Sequence, residues 1–369
     1  MELSQWLVLV DAIIMLVVIA LIIKANIPGD KSTSCEQYYA GMKNPPASAQ
    51  AWCSEGHHFL WQSTLPENTT YPPLNIFYTC QGNPQNPAIL LIHGYPTSSY
   101  DFAKLVDRLK DNYYLCALDT PGYGFSDKPK GNYHYSIFDD AKLVDNFIQN
   151  VAKLKEFTLI THDKGDSVGL ALLQIYQSYA IKPYTINHHI ITNGNIYLPL
   201  AQLRTGQKLL LNPITGPILA SLLDGKQLTN IMAGNTYAPA LPVDERSALA
   251  SIFDYQSGVR VEHNIIQYLN ERKVNEVTWL ETLGKSDIPT TLIWGAKDGI
   301  APVAVPDYVW ANYLQNQTTP ATYWQIPCAN HYLQVDQPAL LAMLINALID
   351  PTTSILEIAS ADCQPVKIK

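Results

Sequence analysis

Short apolar runs alternate with helical stretches from about His57 onward, and few architectures satisfy that alternation. The apolar runs cover residues 75–79, 88–92, 114–118, 157–160, 186–191, 290–294 and 322–326. Each is too short for a helix, and most carry loop residues at their ends, as do strands buried on both faces of a parallel sheet. Helix-length segments fall between them at 102–109, 137–154 and 167–179, with a last one at 338–349. Strand and helix in turn predict a mostly parallel sheet flanked by helices, an α/β fold. The interval 196–285 breaks the rhythm, because "PILASLL", "DERSALASIFDY" and "EHNIIQYLNERKVNEVTWLETL" are helical throughout and separated by Gly and Pro turns. Inserted between two strands, it predicts a helical lid over the carboxyl ends of the sheet, where open α/β folds bind ligands. The core is then 57–195 with 286–350, followed by a C-terminal tail at 351–369.

Composition narrows the partners. Hydrophobic residues make up 47% and charged residues 15% of the 369 residues, which is a globular balance, and a net charge of −8 offers no basic surface for nucleic acid. The N-terminus is a separate piece. Residues 6–23, "WLVLVDAIIMLVVIALII", are apolar except for Asp11 and long enough to span a bilayer. An Asp within a span costs about 3 kcal/mol, and roughly a dozen Leu, Ile and Val at about −0.3 to −0.6 kcal/mol each outweigh it. Residues 1–28 are therefore read as a single-pass membrane anchor, with a signal peptide or a buried helix as the alternative, and 29–56 as a linker that a disulfide could close. Orientation stays open. Lys24 and Lys31 after the span, with Glu2 before it, favour a cytosolic domain by the positive-inside rule. The cysteines point the other way: Cys35 and Cys53 flank the polar segment "GMKNPPASAQAW" and would close a loop in an oxidising compartment, and Cys328 and Cys363 make a second candidate pair. Free thiols are the alternative. "NTT" at Asn68 and "NQT" at Asn316 are glycosylation sequons.

The stretch "LITHDKGDSVGLALL", residues 159–173, starts as a buried strand and ends as a helix, with Asp163 at the corner between them. A sharp strand-to-helix turn exposes its corner side chain and is where a nucleophile sits in such folds. Asp163 taken alone is also an ordinary helix N-cap. Its company argues for chemistry. In "TLIWGAKDGIAP" Asp298 follows a strand end, and in "IPCANHYLQVDQP" His331 follows the last core strand, so nucleophile, acid and His occur in that order at one edge of the sheet. "LLIHGYPTSSYDF" ends another strand and can aim the Tyr95 N–H at the corner; with the Lys164 N–H it would form an oxyanion hole.

With these motifs the chain resembles an α/β-hydrolase of the epoxide hydrolase and haloalkane dehalogenase branch, in which an Asp replaces the usual Ser nucleophile in an elbow that here reads Thr161, His162, Asp163, Lys164, Gly165. Within that branch it is most similar to a membrane-anchored member, through "HGYPTSSYDF", "GYGFSDKP", "HYSIFDDA", "THDKGD" and "IIQYLNERK", over residues 59–349. The resemblance implies that Asp163 forms a covalent ester, that His331 activates the water which hydrolyses it, and that Asp298 orients His331. No metal or organic cofactor is needed. In this branch a Trp usually follows the nucleophile, where this chain has a flexible Lys164, and "HGYP" has the epoxide hydrolase form. Epoxide hydrolases also use two lid tyrosines as proton donors. Tyr268 is the candidate for one, although its spacing with Ile265 and Leu269 also suits a core-facing aromatic, and Tyr197, Tyr237 and Tyr255 are available for the second. The expected partner is an apolar small molecule or lipid. Ester, acyl-transfer or carbon–halogen chemistry on the same fold, and a non-catalytic interaction protein, are the alternatives.

Overall fold

The computed structural model describes residues 13–20, 23, 33–234, 236–238, 240–350 and 363–369. Its centre is a nine-stranded sheet with strand order β1-β2-β4-β3-β5-β6-β7-β8-β9. These strands are β1 (Gly56–Trp61), β2 (Leu74–Gln81), β3 (Ala88–Ile92), β4 (Tyr114–Leu118), β5 (Glu156–His162), β6 (Thr185–Thr192), β7 (Thr290–Gly295), β8 (Ala321–Ile326) and β9 (Val366–Lys367). From β4 through β3 to β8 neighbours run parallel; β2 is antiparallel to β1 and β4, and β9 to β8. The central strands read as unbroken apolar runs because helices cover both faces: Ile89, Leu90, Leu91 and Ile92 of β3 and Leu292, Ile293 and Trp294 of β7 are all fully buried. Alternate side chains feed two hydrophobic clusters, with Leu90 and Ile92 in one and Ile89 and Leu91 in the other.

Every expected core strand is present. The helices Ala103–Leu109, Lys164–Ser178 and Pro338–Ile349 also fall where the pattern puts them. The segment expected to be helical over 137–154 is α-helical for Ile137–Asn146, continues as a π-turn over Phe147–Val151, and stops at Lys153, whose φ is 52°.

The inserted interval divides in two. Helices Thr205–Leu211, Thr215–Leu222, Gly225–Ala233 and Val243–Asp254 form the lid. The last helix, Tyr268–Gly284, instead packs along Lys164–Ser178 in the layer flanking the sheet, burying Arg272, Trp279, Leu280 and Leu283. So the lid expected to end at 285 gives way to the core at about residue 268.

The linker reading of 29–56 is corrected. Cys35–Ala40 and Ala47–Ser54 are helices joined by a Cys35–Cys53 disulfide, and Tyr39 and Trp52 are buried. They clamp the lid to the core: Tyr38 Oη donates to the Ser251 carbonyl at 3.0 Å, and Trp52 Nε1 donates to Ser99 Oγ at 3.2 Å. The C-terminal tail is not free either. Cys363 is bonded to Cys328, and Val366 and Lys367 extend the sheet beside β8. A Cys80–Cys116 disulfide joins directly opposed residues of β2 and β4, a pairing that spacing did not suggest. Half of the anchor expected at residues 6–23 falls outside the described residues; residues 13–20 are helical, and among the described residues no helix is long and apolar enough to cross a membrane.

Candidate active site

β5 ends at His162 and the helix Lys164–Ser178 starts two residues later, so Asp163 alone makes the corner. It does so at φ 52° and ψ −114°, a region L-residues rarely enter. Close backbone approach holds it there. A Cβ on Gly94 would lie 2.4 Å from the Asp163 Cβ, and one on Gly165 would lie 2.4 Å from the Ile92 carbonyl oxygen. The N-cap alternative does not hold, because the Asp163 side chain bonds to no first-turn amide. Its Oδ1 accepts a 2.8 Å hydrogen bond from the Tyr95 N–H, and its Oδ2 lies 3.6 Å from His331 Nε2. The N–H of Lys164, first in its helix, has no intrahelical acceptor and is the adjacent donor.

His331 and Asp298 complete the arrangement from the loops after β8 and β7. His331 Nδ1 donates to Asp298 Oδ2 at 2.8 Å, and both side chains are buried. Asp298 Oδ2 also accepts from Asn193 Nδ2 at 2.8 Å, and its Oδ1 accepts from the N–H groups of Ile300 (2.7 Å) and Ala301 (3.0 Å). Burial would raise the Asp298 pKa, but the His331 charge and these donors bring it below the usual carboxylate value. Burial likewise opposes the His331 proton; the carboxylates of Asp298 and then Asp163 more than offset it and raise the imidazole to about 9.

The side chain of Lys164 corrects the expectation of a flexible amine. Its Nζ is buried in an ion pair with Asp140 and sits 4.6 Å from the centre of the Tyr123 ring. Burial lifts Asp140 to about 6 despite the pull of Lys164.

Tyr268 begins the helix Tyr268–Gly284 and is 2% exposed, with its ring centre 5.7 Å from that of Tyr95. Burial first, and the Asp163 charge second, push its hydroxyl pKa up, so it keeps its proton. The three tyrosines available as a second donor diverge. Tyr197 stacks on Tyr308 with ring centres 3.8 Å apart, and Tyr255 donates to the Thr33 carbonyl at 3.0 Å, both in other neighbourhoods. Tyr237 stacks at 4.6 Å on Tyr332, whose own ring centre is 4.9 Å from that of His331.

Three supporting residues escaped sequence reasoning. His162 shares a 2.9 Å hydrogen bond between its Nε2 and the His331 carbonyl oxygen; burial, then the His331 charge, lower its pKa to about 4, so it is a neutral strut for the loop that carries His331. Asn193 bridges β7 and Asp298, accepting from the Gly295 N–H at 2.8 Å while donating to the carboxylate. Arg272, fully buried, donates through Nε to Ser167 Oγ at 2.8 Å and through Nη2 to the Asp163 carbonyl at 3.4 Å. His162 and Asn193 gave a signal only as polar residues at the ends of apolar strands, and Arg272, among charged neighbours, gave none. Beside His331 is a cavity of about 330 Å³, walled on the lid side by Leu210, Leu228 and Met232 and floored by Tyr95, His331 and Tyr332; Asp163 and Tyr268 lie outside its lining. Such walls favour an apolar ligand with one reactive centre at the floor.

Comparison with known proteins bears on the fold. Residues 87–187 match the family described as alpha/beta hydrolase fold. LipZ of Mycobacterium tuberculosis, provisionally named a hydrolase, is 30% identical over 272 residues, which cover 73% of this chain and 91% of LipZ. The mesoderm-specific transcript homolog protein of Homo sapiens is 30% identical over 316 residues, covering 80% of this chain and 86% of that protein. Among solved structures, haloalkane dehalogenase DbeA from Bradyrhizobium elkani superposes with a TM-score of 0.64 over 80% of this chain and 97% of its own, at 17% identity, a likeness of fold.

Proposed function

This chain belongs to the α/β-hydrolase fold family, and we propose that within it the protein is a membrane-anchored, epoxide-hydrolase-like enzyme acting on an apolar small molecule or lipid. One observation carries the reading: the two oxygens of Asp163 face different partners, Oδ1 an oxyanion donor at 2.8 Å and Oδ2 the catalytic imidazole at 3.6 Å. In the first step Oδ2 attacks the electrophilic carbon, the carbon–oxygen bond of the epoxide breaks, and the ring oxygen takes the electron pair and a proton from Tyr268. In the second step His331 removes a proton from water, which attacks Cγ of the ester. Negative charge collects on Oδ1, held by the Tyr95 and Lys164 amides. The intermediate collapses with Oδ2 leaving on the product, protonated by His331; water has replaced one carboxylate oxygen, and its second proton, left on the new Asp163 carboxyl, passes to the Tyr268 phenolate, which restores both residues. The diol product is thus two hydroxyls, one from the epoxide and one from the enzyme.

The leaving group separates this reading from dehalogenation. A departing halide needs donors in a dry pocket, and the amine of Lys164 is already committed to Asp140. An epoxide oxygen needs a proton, which the buried Tyr268 hydroxyl retains at neutral pH. Assayed against a panel of apolar epoxides, haloalkanes and esters, with Asp163→Ala as control, the purified protein is expected to form diol faster than it releases halide. Tyr268→Phe is expected to slow single-turnover alkylation roughly 10- to 100-fold. Faster halide release than diol formation from every epoxide tested would reverse the assignment, and an unchanged Tyr268→Phe rate would remove that residue from the mechanism.

Membrane attachment is read from residues 6–23 alone. The described body begins at Thr33, whose carbonyl accepts from Tyr255 beside the lid. Deleting residues 1–28 is expected to release active protein into the soluble fraction. A full-length chain that alkaline carbonate already extracts from membranes would contradict the anchor.

A further inference from the structure

The disulfides bear on a question the charge pattern left open, namely which side of the membrane holds the folded domain. The chain has six cysteines, and all are paired, as Cys35–Cys53, Cys80–Cys116 and Cys328–Cys363. The pairs are spread over the N-terminal hairpin, the β2–β4 ladder and the loop leading to His331, so they arise from three separate parts of the fold rather than one cluster. A reducing compartment keeps such thiols free.

The two sequons sit in opposite environments. Asn68 is fully buried: its Nδ2 donates to Ser63 Oγ and to the His134 carbonyl, each at 2.9 Å, and its Oδ1 accepts from the His134 N–H at 2.8 Å. Both amide protons are used, and a sugar on that nitrogen would displace one of these bonds from the interior. Asn316 and Thr318 of the second sequon are exposed in the turn before β8. That turn lies at the amino end of β8, whereas His331 follows its carboxyl end at Ile326, so roughly 20 Å of strand separates them. The N-terminal hairpin, by contrast, packs on the lid. A glycan at Asn316 therefore projects away from both the cavity and the N-terminal hairpin.

We propose that the folded domain lies in the oxidising lumen of the secretory route or outside the cell, and that it carries one N-linked oligosaccharide, on Asn316, with Asn68 unmodified. In the transfer, the Asn316 amide nitrogen forms a bond to C1 of a polyisoprenyl-pyrophosphate-linked oligosaccharide, the C1–phosphate bond breaks, the pyrophosphate leaves with its electron pair, and one amide proton passes to base. The orientation places Lys24 and Lys31 on the non-cytosolic side, against the small charge bias; charge bias is a tendency, and it is outweighed by three pairings a reducing compartment would not sustain.

The test uses the full-length chain produced in a eukaryotic secretory host. A glycosidase that cleaves the asparagine–sugar linkage is expected to produce a single downward step in apparent mass on a gel. That step should vanish in Asn316→Gln and in Thr318→Ala, and persist unchanged in Thr70→Ala, which destroys the first sequon without touching the bonds of Asn68. In denaturant without reductant no cysteine should react with a mass-tagged maleimide, and all six should react after reduction. No mobility step, a step that survives Thr318→Ala, or thiols that react before reduction would each overturn the proposal.

Discussion

Asp163→Ala is expected to lower turnover of the best substrate by roughly 10⁴- to 10⁶-fold, the range seen when a triad member acting as part of a unit is removed. The substitution deletes the carboxylate that receives the Tyr95 N–H and faces His331, while the contacts at Gly94 and Gly165 that shape the elbow are between backbone and Cβ atoms that Ala retains. Circular dichroism should therefore report an unchanged fold beside the lost rate. A residual rate within tenfold of the parent would show that water attacks substrate directly, with Asp163 a bystander.

His331→Gln is expected to separate the two chemical steps. Alkylation needs only the Asp163 carboxylate and a proton for the leaving oxygen, so it should proceed, whereas ester hydrolysis loses its base and slows by roughly 10²- to 10⁴-fold. One equivalent of product precursor should remain bound, visible as a mass increase on the peptide containing Asp163. The parent protein makes a related pH prediction. In the free enzyme the Asp298 and Asp163 carboxylates hold the His331 proton up to about 9. Esterification neutralises Asp163, so one of those charges disappears and the imidazole pKa falls. Ester breakdown should rise with pH and level off below about 9, the value near which the His331 imidazole resonances of the free enzyme are expected to titrate. Equal values in the two states would mean that Asp163 carries no charge that His331 senses.

Much of this arrangement was legible in the chain because parallel strands buried on both faces leave short, continuous apolar runs, as β3 and β7 do. The elbow could be found because its strand, its glycine and its helix are adjacent in sequence, and Asp298 and His331 because each lies in the loop that follows a strand end. What stayed hidden depends on residues brought together from far apart. Asn193 acquires its role only when β6 lies beside β7 and its amide reaches Asp298, 105 positions later. Arg272 reads as one more charged residue of a surface helix until that helix docks on Lys164–Ser178 and the guanidinium meets the elbow carbonyl. The segment at 29–56 looked like a linker because its middle is polar and carries two prolines; Tyr39 and Trp52, large apolar rings in that stretch, were the sign that it packs. Cys80 and Cys116 sit within strands, and only the β2–β4 register sets them opposite each other. The Lys164 amine could not be assigned from sequence either, since its partner Asp140 lies on another helix.

The covalent role of Asp163 is tested most directly by one enzyme turnover in water enriched in oxygen-18, with enzyme in excess over substrate. The mechanism predicts that the oxygen added to the product comes from Oδ2 of Asp163, so first-turnover product is unlabelled and the heavy isotope appears in the peptide containing Asp163. Heavy oxygen in the first-turnover product, with none in that peptide, would contradict it.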